Sequence, residues 1–191
     1  MTDRTHSGQV VKAMLAVARL LREPRLARLY TYVLRAGEVT IDDIVDALNL
    51  FRERAISDTD TAVEFGVLIR TDNQGNHHFA ASPILLSVEV DGETQTVTPT
   101  LIDVVGRAPG NQDLQLLLDR YGIDTLAVAL SYAIPYAEET MSERVAVREL
   151  GLQPAFGIAV LQSLREVVLE MEAHDPYFEQ IRNARDDPSD E

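Results

Sequence analysis

Residues 51–65, FRERAISDTDTAVEF, hold hydrogen-bond donors at helical spacing. If the stretch is a regular helix, each residue turns by about 100°, and Arg54, Ser57 and Thr61 share one row of its surface. An arginine fork matches the two acceptors that guanine presents in the major groove, and hydroxyl groups can bond bases or phosphates. Arg52 lies nearer the core side, from where it would reach a backbone phosphate. The row predicts a helix edge that contacts DNA.

Acidic side chains lie beside this row. Glu53, Asp60 and Glu64 cluster on the outer face of the predicted helix, where DNA phosphates would repel them. The residues predicted to face the core are Ala55, Thr59 and Ala62, with Phe51 close by. Recognition by this helix would therefore be confined to a narrow edge.

The segment that follows, LIRTDNQGNHHFAAS, alternates apolar and polar residues around a turn-forming centre, which predicts a hairpin. Apart from Asp72, its polar residues can donate hydrogen bonds, and we expect them to touch the DNA backbone beside the helix. The candidate contacts are Arg70, Asn73, Gln74, Asn76 and His77, with His78 next in the chain. The two adjacent histidines would point to opposite faces of a strand and have no evident third ligand, so we predict no metal site.

Two helices precede these elements and would position them. Pro24 suits the start of a helix that ends at Gly37. Thr40 with Asp43 predicts a capping box for a short helix that ends at Asn49. Helix, short helix, tight turn, longer helix and hairpin is the order of a winged helix-turn-helix. Such units also serve as packing modules in proteins that bind no nucleic acid, so the shape alone leaves both interpretations open.

The remaining pattern predicts further helices and a second hairpin. Residues 9–22 are apolar on most sides, which indicates burial on more than one face, in the core or against a second copy of the chain. Asp91-Gly92 predicts a tight turn between strands at 84–90 and 94–98. The later predicted helices are 99–105, a helix that stops at Gly122, and a long helix from Asp124 that is kinked at Pro135.

The last third of the chain repeats the helical order of the first. Residues 26–34 align with 126–134, and residues 39–50 align with 141–152 after a two-residue insertion. The alignment predicts a second helix-turn-helix-like unit without a wing, although common helical periodicity also explains such matches. The long helix of this unit, PAFGIAVLQSLREVVLEMEA, offers Arg165 among acids and a wide apolar arc. It suits a buried core or dimer helix better than a DNA groove.

Charge is the most unusual feature of the composition. The 191 residues include 31 acids and 17 bases, for a formal net charge of −14, and the bases are arginines except for Lys12. Many carboxylates with almost no lysine is the surface expected in molar salt, where charge repulsion is screened within about 3 Å. The acids are scattered along the chain, which favours this interpretation over an acidic protein that binds a partner at ordinary salt.

The sequence argues against several classes of protein and site. The absence of cysteine excludes disulfides, thiolate chemistry and cysteine-based zinc sites. There is no run of about 18 apolar residues, and the N-terminus does not resemble a signal peptide, so we expect a cytoplasmic protein. The acidic pairs Asp42-Asp43 and Glu138-Glu139 lie at a helix start and in a loop, and no phosphate-binding loop, nucleophile elbow or HExxH motif occurs. We therefore predict no enzyme activity and no cofactor.

The stretch TIDDIVDALNL, a second helix that ends in EFGVL, and the hairpin resemble the winged helix-turn-helix transcription regulators of halophilic archaea. The later stretches VTPTLIDVVGR, DRYGIDTLAVALSYA and RVAVRELGLQPAFGIAVLQSLREVV are similar to a C-terminal helical domain associated with those regulators. The resemblance implies a DNA-binding, dimeric regulator. Recognition helices of that family usually begin with a Ser/Thr-rich turn, whereas Phe51, Arg52, Glu53 and Arg54 stand here, so the chain departs from the family pattern at the start of this helix.

We therefore predict a mainly α fold with small β-hairpins (α+β), in which a winged helix-turn-helix precedes a helical domain with a second, wingless unit. The expected divisions are 1–82 for DNA binding, 83–185 for dimerisation or regulation, and 186–191 as a disordered acidic tail. The predicted function is sequence-specific DNA binding by a homodimeric transcription regulator adapted to high salt. The alternative is a tandem helix-turn-helix scaffold that binds another protein and no DNA. A small-molecule effector would add to the first hypothesis, but no set of residues marks a pocket for it.

Overall fold

Helices dominate the chain, and two antiparallel hairpins interrupt them. The computed structural model describes residues 3–73, 76–90 and 93–186. The helices are α1 (Asp3–Arg22), α2 (Pro24–Ala36), α3 (Ile41–Leu48), α4 (Arg52–Glu64), α5 (Pro99–Arg107), α6 (Gln112–Ala137), α7 (Glu143–Leu150), α8 (Pro154–Met171) and α9 (Tyr177–Asp186). The strands are β1 (Ile69–Asn73), β2 (Asn76–Ala80), β3 (Leu86–Val90) and β4 (Glu93–Val97). The predicted mainly α fold with small hairpins is confirmed.

No helix within the described ranges is both long enough and apolar enough to cross a membrane. The longest, α6, has 26 residues, but polar and charged side chains interrupt its apolar surface. The hairpin turn predicted at Asp91-Gly92 and the tail from residue 187 lie outside the described residues, whereas Asp186, the first residue of the predicted tail, ends α9.

The chain divides into two compact units, Met1–Val97 and Thr98–Glu191. The hairpin β3–β4 thus belongs with the N-terminal unit, whereas the sequence placed residues from 83 onward in the C-terminal domain. Tyr30 of α2 explains the difference, because its buried hydroxyl donates to the Ser82 carbonyl at 3.0 Å and accepts from the Ile84 amide at 2.9 Å. These two bonds tie the segment that enters β3 to α2.

Helices α2 and α3 begin and end where the sequence predicted. Pro24 lies in the first turn of α2, and Gly37 ends the helix with a φ of 83° that favours glycine. The Thr40 hydroxyl accepts from the Asp43 amide, and the Asp43 carboxylate accepts from the Thr40 amide at 2.8 Å, which completes the capping box of α3. Asn49 ends α3 in the left-handed conformation.

The first hairpin is fastened to the segment between α2 and α3. Val39 and Phe79 exchange two backbone hydrogen bonds, of 2.9 and 2.8 Å, so Val39, two residues before α3, extends the β1–β2 pair by an isolated bridge. Phe79 is buried, as are Ile44 of α3 and Leu29 of α2. The hairpin, the short helix and α2 therefore share one core.

Helix α1 is longer than predicted and is buried on one side. Ala16, Val17 and Leu20 are buried near its C-terminal end. The larger apolar side chains nearer its N-terminal end are exposed, with accessible fractions from 46 to 62%: Val10, Val11, Met14 and Leu15. The expected burial on more than one face is not achieved within one chain.

In the C-terminal unit a buried aspartate joins two helices. The Asp175 carboxylate accepts from the Thr100 amide at 3.0 Å, from the Thr100 hydroxyl at 2.5 Å and from the Tyr177 amide at 3.0 Å. These bonds connect the first turn of α5 with the start of α9. Because every bond satisfies a buried oxygen, the carboxylate can remain in the core.

Helix α6 contains the break that the sequence predicted at Gly122. The residue has φ 86° and ψ 176°, which are non-helical, so two helical segments meet there. Pro135 lies within the second segment, which ends at Ala137. Helices α7 and α3 have eight residues each, and both end at a left-handed residue, Gly151 and Asn49 respectively. The repeated helical order of the two units thus extends to this detail of backbone conformation.

We expect Asp43→Ala to lower the free energy of unfolding by about 0.5–1 kcal/mol at neutral pH, because it removes one half of the capping box. The Thr40 backbone N–H and then its hydroxyl lower the pKa of the Asp43 carboxyl. The stabilisation is therefore present above the unfolded pKa of about 4 and is lost as the pH falls below it towards the lowered folded value. Urea unfolding followed by circular dichroism, at pH 7 and at lower pH, measures the difference.

Asp46→Ala is the matched control, since Asp46 is exposed on the same helix and lies outside the capping box. It makes the same change in helix propensity without removing a cap. The prediction is contradicted if Asp43→Ala lowers the free energy of unfolding no more than the control does. It is also contradicted if the loss stays the same below about pH 4.

Candidate nucleic-acid interface

Helix α4 follows α3 after the three residues 49–51 and presents one long side to solvent. The predicted inner face of Ala55, Thr59 and Ala62 is confirmed, since all three are buried. Asp58 is buried with them, at 3% exposure, and its burial was not predicted. The inner face of α4 is therefore made of short side chains, two of which are polar, and one of these is the carboxylate of Asp58.

Phe51 is not near the inner face, so that expectation is wrong. Its side chain is 85% exposed, the highest value among the large hydrophobic residues in the described ranges. It occupies the N-cap position of α4 with extended backbone angles, φ −67° and ψ 142°, and makes no capping hydrogen bond. An extended N-cap lies off the helical cylinder, so helical periodicity does not apply to its side chain.

The row predicted to contact bases lies at the edge of α4. Arg54 and Ser57 are exposed, and Thr61 is half-buried. The Thr61 hydroxyl donates to the Ser57 carbonyl at 2.8 Å, which occupies its proton and leaves its oxygen able to accept. Arg54 donates from Nε to the Asp58 carboxylate at 3.3 Å.

Asp58 is the partner of two arginines from two helices. Its Oδ2 atom lies 2.9 Å from Nε of Arg25 on α2 and 3.3 Å from Nε of Arg54 on α4. Burial raises the pKa of Asp58, and Arg54 acts in the opposite direction. The side chains of Arg25 and Arg54 are 46% and 47% exposed, so each joins the buried carboxylate to the surface.

Arg52 does not approach the core as expected. Its Nη1 atom contacts the carboxylate of Asp42 on α3, and the two side chains are 60% and 71% exposed. The acid of this pair stands next to the capping residue Asp43. The adjacent acids Asp42 and Asp43 thus have separate roles, one towards α4 and one at the start of α3.

Arg70 connects the hairpin to α4. Its Nη2 atom contacts the Asp60 carboxylate, and its guanidinium lies 5.5 Å from the centre of the Phe79 ring. Asp60 was predicted to form the acidic outer face with Glu53 and Glu64. Because Asp60 is paired with Arg70, the unpaired acids of that face are fewer than the sequence indicates.

The two histidines of β2 contact different acids. His77 contacts Asp72 across the hairpin, and Nδ1 of His78 lies 3.8 Å from the Glu38 carboxylate. No group of three potential metal ligands occurs among the residues that the structure describes. Of the remaining hairpin candidates, Asn73 and Asn76 form the last pair in the strand register, and Gln74 lies outside the described residues.

Carboxylates thus hold each of the basic side chains at this candidate interface. The pairs are Arg52 with Asp42, Arg54 with Asp58, Arg70 with Asp60, and His77 with Asp72. Glu53 and Glu64 of α4 are exposed in addition to these pairs, so this surface keeps a net negative charge, as does the whole chain with −14. Exposed ion pairs contribute about 0–1 kcal/mol each, so a phosphate could replace an exposed carboxylate at small cost.

In the C-terminal unit, the long helix α8 is a core element. Its residues Val160, Leu161, Leu164, Val167 and Val168 are buried. An open groove of about 440 Å³ lies where α7 meets α8, with Val147, Leu152 and Ile158 among its lining residues. The buried row supports the expectation that α8 packs internally, whereas α4 exposes most of its side chains.

Comparison with known proteins adds one match. A family of unknown function, DUF7437, matches residues 108–173, which lie within the C-terminal unit and include α6, α7 and α8. No curated protein and no solved structure shows a significant match to the chain.

Phe51→Ser should stabilise the protein by about 1 kcal/mol, because serine can accept from the free amides of the first turn of α4 and phenylalanine cannot. The exposed ring contributes little packing that could be lost. Thermal and urea unfolding of the variant and the parent measure the change.

Phe51→Ala separates capping from packing, since it removes the ring without adding a capping oxygen. We expect a change within about 0.5 kcal/mol. A loss of about 3 kcal/mol or more in Phe51→Ala would mean that the ring is part of the core, and the exposed position would then be wrong.

Proposed function

We propose that residues 24–80 form a winged helix-turn-helix and that the protein is a sequence-specific DNA-binding transcription regulator. The observation that carries this proposal is the arrangement around α4. A short capped helix leads into it through three residues, the acids of its outer side are exposed, and the hairpin that follows contacts one of them, Asp60, through Arg70. This combination is the one that DNA-binding winged helices use.

In this proposal the edge of α4 enters the major groove. Arg54 would bond guanine, and Ser57 and Thr61 would bond bases or phosphates. Arg52 would exchange Asp42 for a backbone phosphate. The hairpin contacts on the flanking backbone would come from Arg70, Asn73, Gln74, Asn76 and His77. The exposed ion pairs support the proposal, because Arg52 and Arg70 can each exchange a carboxylate for a phosphate without leaving a buried charge.

A homodimer is part of the proposal. The exposed apolar residues of α1, which include Met14 and Leu15, offer a surface that a second copy would bury. A two-fold dimer would bind two half-sites about one helical turn apart, or a multiple of that distance. The composition, with 31 acids and one lysine, supports work in high salt.

The second candidate function is a scaffold that binds another protein and no DNA. The exposed acids Glu53 and Glu64 on the outer side of α4 favour it, since DNA would meet them in the groove. The repeated order of helices in the two units also suits a tandem scaffold. The two functions differ in a single measurable property, which is the retention of DNA.

We expect the protein to retain one recurring, roughly palindromic motif from mixed genomic DNA fragments in about 2 M KCl, where screening is nearly complete. Sequencing of the retained fragments identifies the motif. If a protein shown to be folded in the same salt by circular dichroism retains nothing above background, the scaffold becomes the better hypothesis.

The affinity should depend weakly on salt or rise with it. Ordinary DNA-binding proteins lose about 0.9 units of log K per unit of log salt for each phosphate contact, whereas here each phosphate must displace a carboxylate that salt also screens. Asp42→Asn should bind more tightly at low salt and show a steeper salt dependence, because it frees Arg52. Asp46→Asn is the matched control, because it makes the same charge change on the same helix, and Asp46 forms no ion pair with an arginine among the described residues. An equal response of both variants would show that the Asp42 pair is not involved.

A further inference from the structure

We infer that Asp58 is a positioning residue that aims Arg54 at a guanine, so that the base preference of the protein is concentrated in this ion pair. The inference rests on the proposed function, and it assigns a role to a side chain that would touch no DNA. Three observations support it: Arg54 contacts Asp58 through Nε, Asp58 is buried, and Arg25 pairs with the same carboxylate.

Arg54 contacts Asp58 through Nε, at 3.3 Å. A guanidinium is planar and rigid, so a bond at Nε fixes the plane and leaves the end of the fork, made by the two Nη atoms, directed away from the carboxylate. That end is the part that can donate two parallel hydrogen bonds to O6 and N7 of guanine. The contact therefore orients Arg54 without using its recognition edge.

The other two arginines of the candidate interface are held differently. Arg52 uses Nη1 and Arg70 uses Nη2, so in each case the end of the fork is already engaged. Their partner carboxylates, Asp42 and Asp60, are 71% and 56% exposed. Exposed pairs of this kind exchange easily with solvent and phosphate, which suits backbone contacts better than base recognition.

The carboxylate of Asp58, by contrast, has little freedom to move. Its side chain is 4% exposed, and Arg25 of α2 holds the same Oδ2 atom at 2.9 Å. A contact residue whose rotamer is held by a buried carboxylate, itself paired with a second arginine, meets the requirement for precise recognition. Arg25 also provides a control, because it contacts Asp58 without lying on α4.

The test is selection from a pool of duplexes with about 30 random base pairs, long enough for two half-sites one helical turn apart, in about 2 M KCl. The parent should select guanine at one position of each half-site by roughly 5- to 100-fold over other bases, the range expected for a bidentate contact. Arg54→Ala should lose this preference. Asp58→Asn should reduce it to less than about threefold while the preferences at other positions persist.

Arg25→Gln is the matched variant, since it removes the other ion pair of Asp58 and leaves Arg54 in place. It should keep the guanine preference, even if its stability falls. Equal loss in Arg25→Gln and Asp58→Asn would mean that Asp58 acts only by packing α2 against α4, which overturns the inference. An undiminished guanine preference in Asp58→Asn overturns it as well.

Circular dichroism in the selection salt shows whether each variant is folded. If Asp58→Asn does not fold, Asp58→Glu replaces it, because glutamate keeps the charge but displaces the carboxylate by one methylene group. A folded Asp58→Glu that keeps the full preference contradicts the inference, and one that loses it supports a geometric role. If the parent itself selects no sequence, the proposed function fails and the inference falls with it, whereas failure in the variants alone leaves the proposed function standing.

Discussion

The buried charge of Asp58 is the constraint on which the arrangement of the N-terminal unit depends. A carboxylate removed from water costs several kcal/mol unless it is paired, and here the pairing comes from Arg25 on α2 and Arg54 on α4. The two helices can satisfy the charge only in a mutual position that brings both guanidinium groups to one oxygen atom. The same bonds set which edge of α4 reaches solvent, so the fold of this unit and the chemistry of its surface share one cause.

Arginine makes this arrangement compatible with an acidic protein. A guanidinium has five donors in a rigid plane, so it can bond a carboxylate on one edge and present another edge to a second acceptor. An ammonium group is a point charge without distinct edges. In this chain 16 of the 17 bases are arginine, and the other is Lys12. The chain can therefore surround its bases with acids and still present hydrogen-bond donors in defined directions. Arg54 is an example, since it contacts Asp58 through Nε and keeps its two Nη atoms for another acceptor.

Local chemistry was predictable from the sequence, and contacts between distant segments were not. The capping box of Thr40 and Asp43 and the inner face of Ala55 follow from short-range spacing, and both are confirmed. Helical periodicity places Asp58 on the same face as Ala55 and Thr59, but the pairing that lets a carboxylate remain buried there comes from Arg25, which lies on another helix. The exposure of Phe51 was missed for a related reason, because a helical wheel assigns a direction to an N-cap residue that the helix does not impose.

The two units also show why a repeated helical order does not determine function. In the N-terminal unit the helix after the short capped one, α4, buries a small polar face and leaves its other sides to solvent. In the C-terminal unit the corresponding helix, α8, buries a broad row of valines and leucines. The same order of helices is compatible with an exposed or a buried long helix, and the side chains determine which of the two occurs. Helix α4 keeps its side-chain donors at the surface, where a ligand could reach them, whereas α8 uses its apolar side chains for packing.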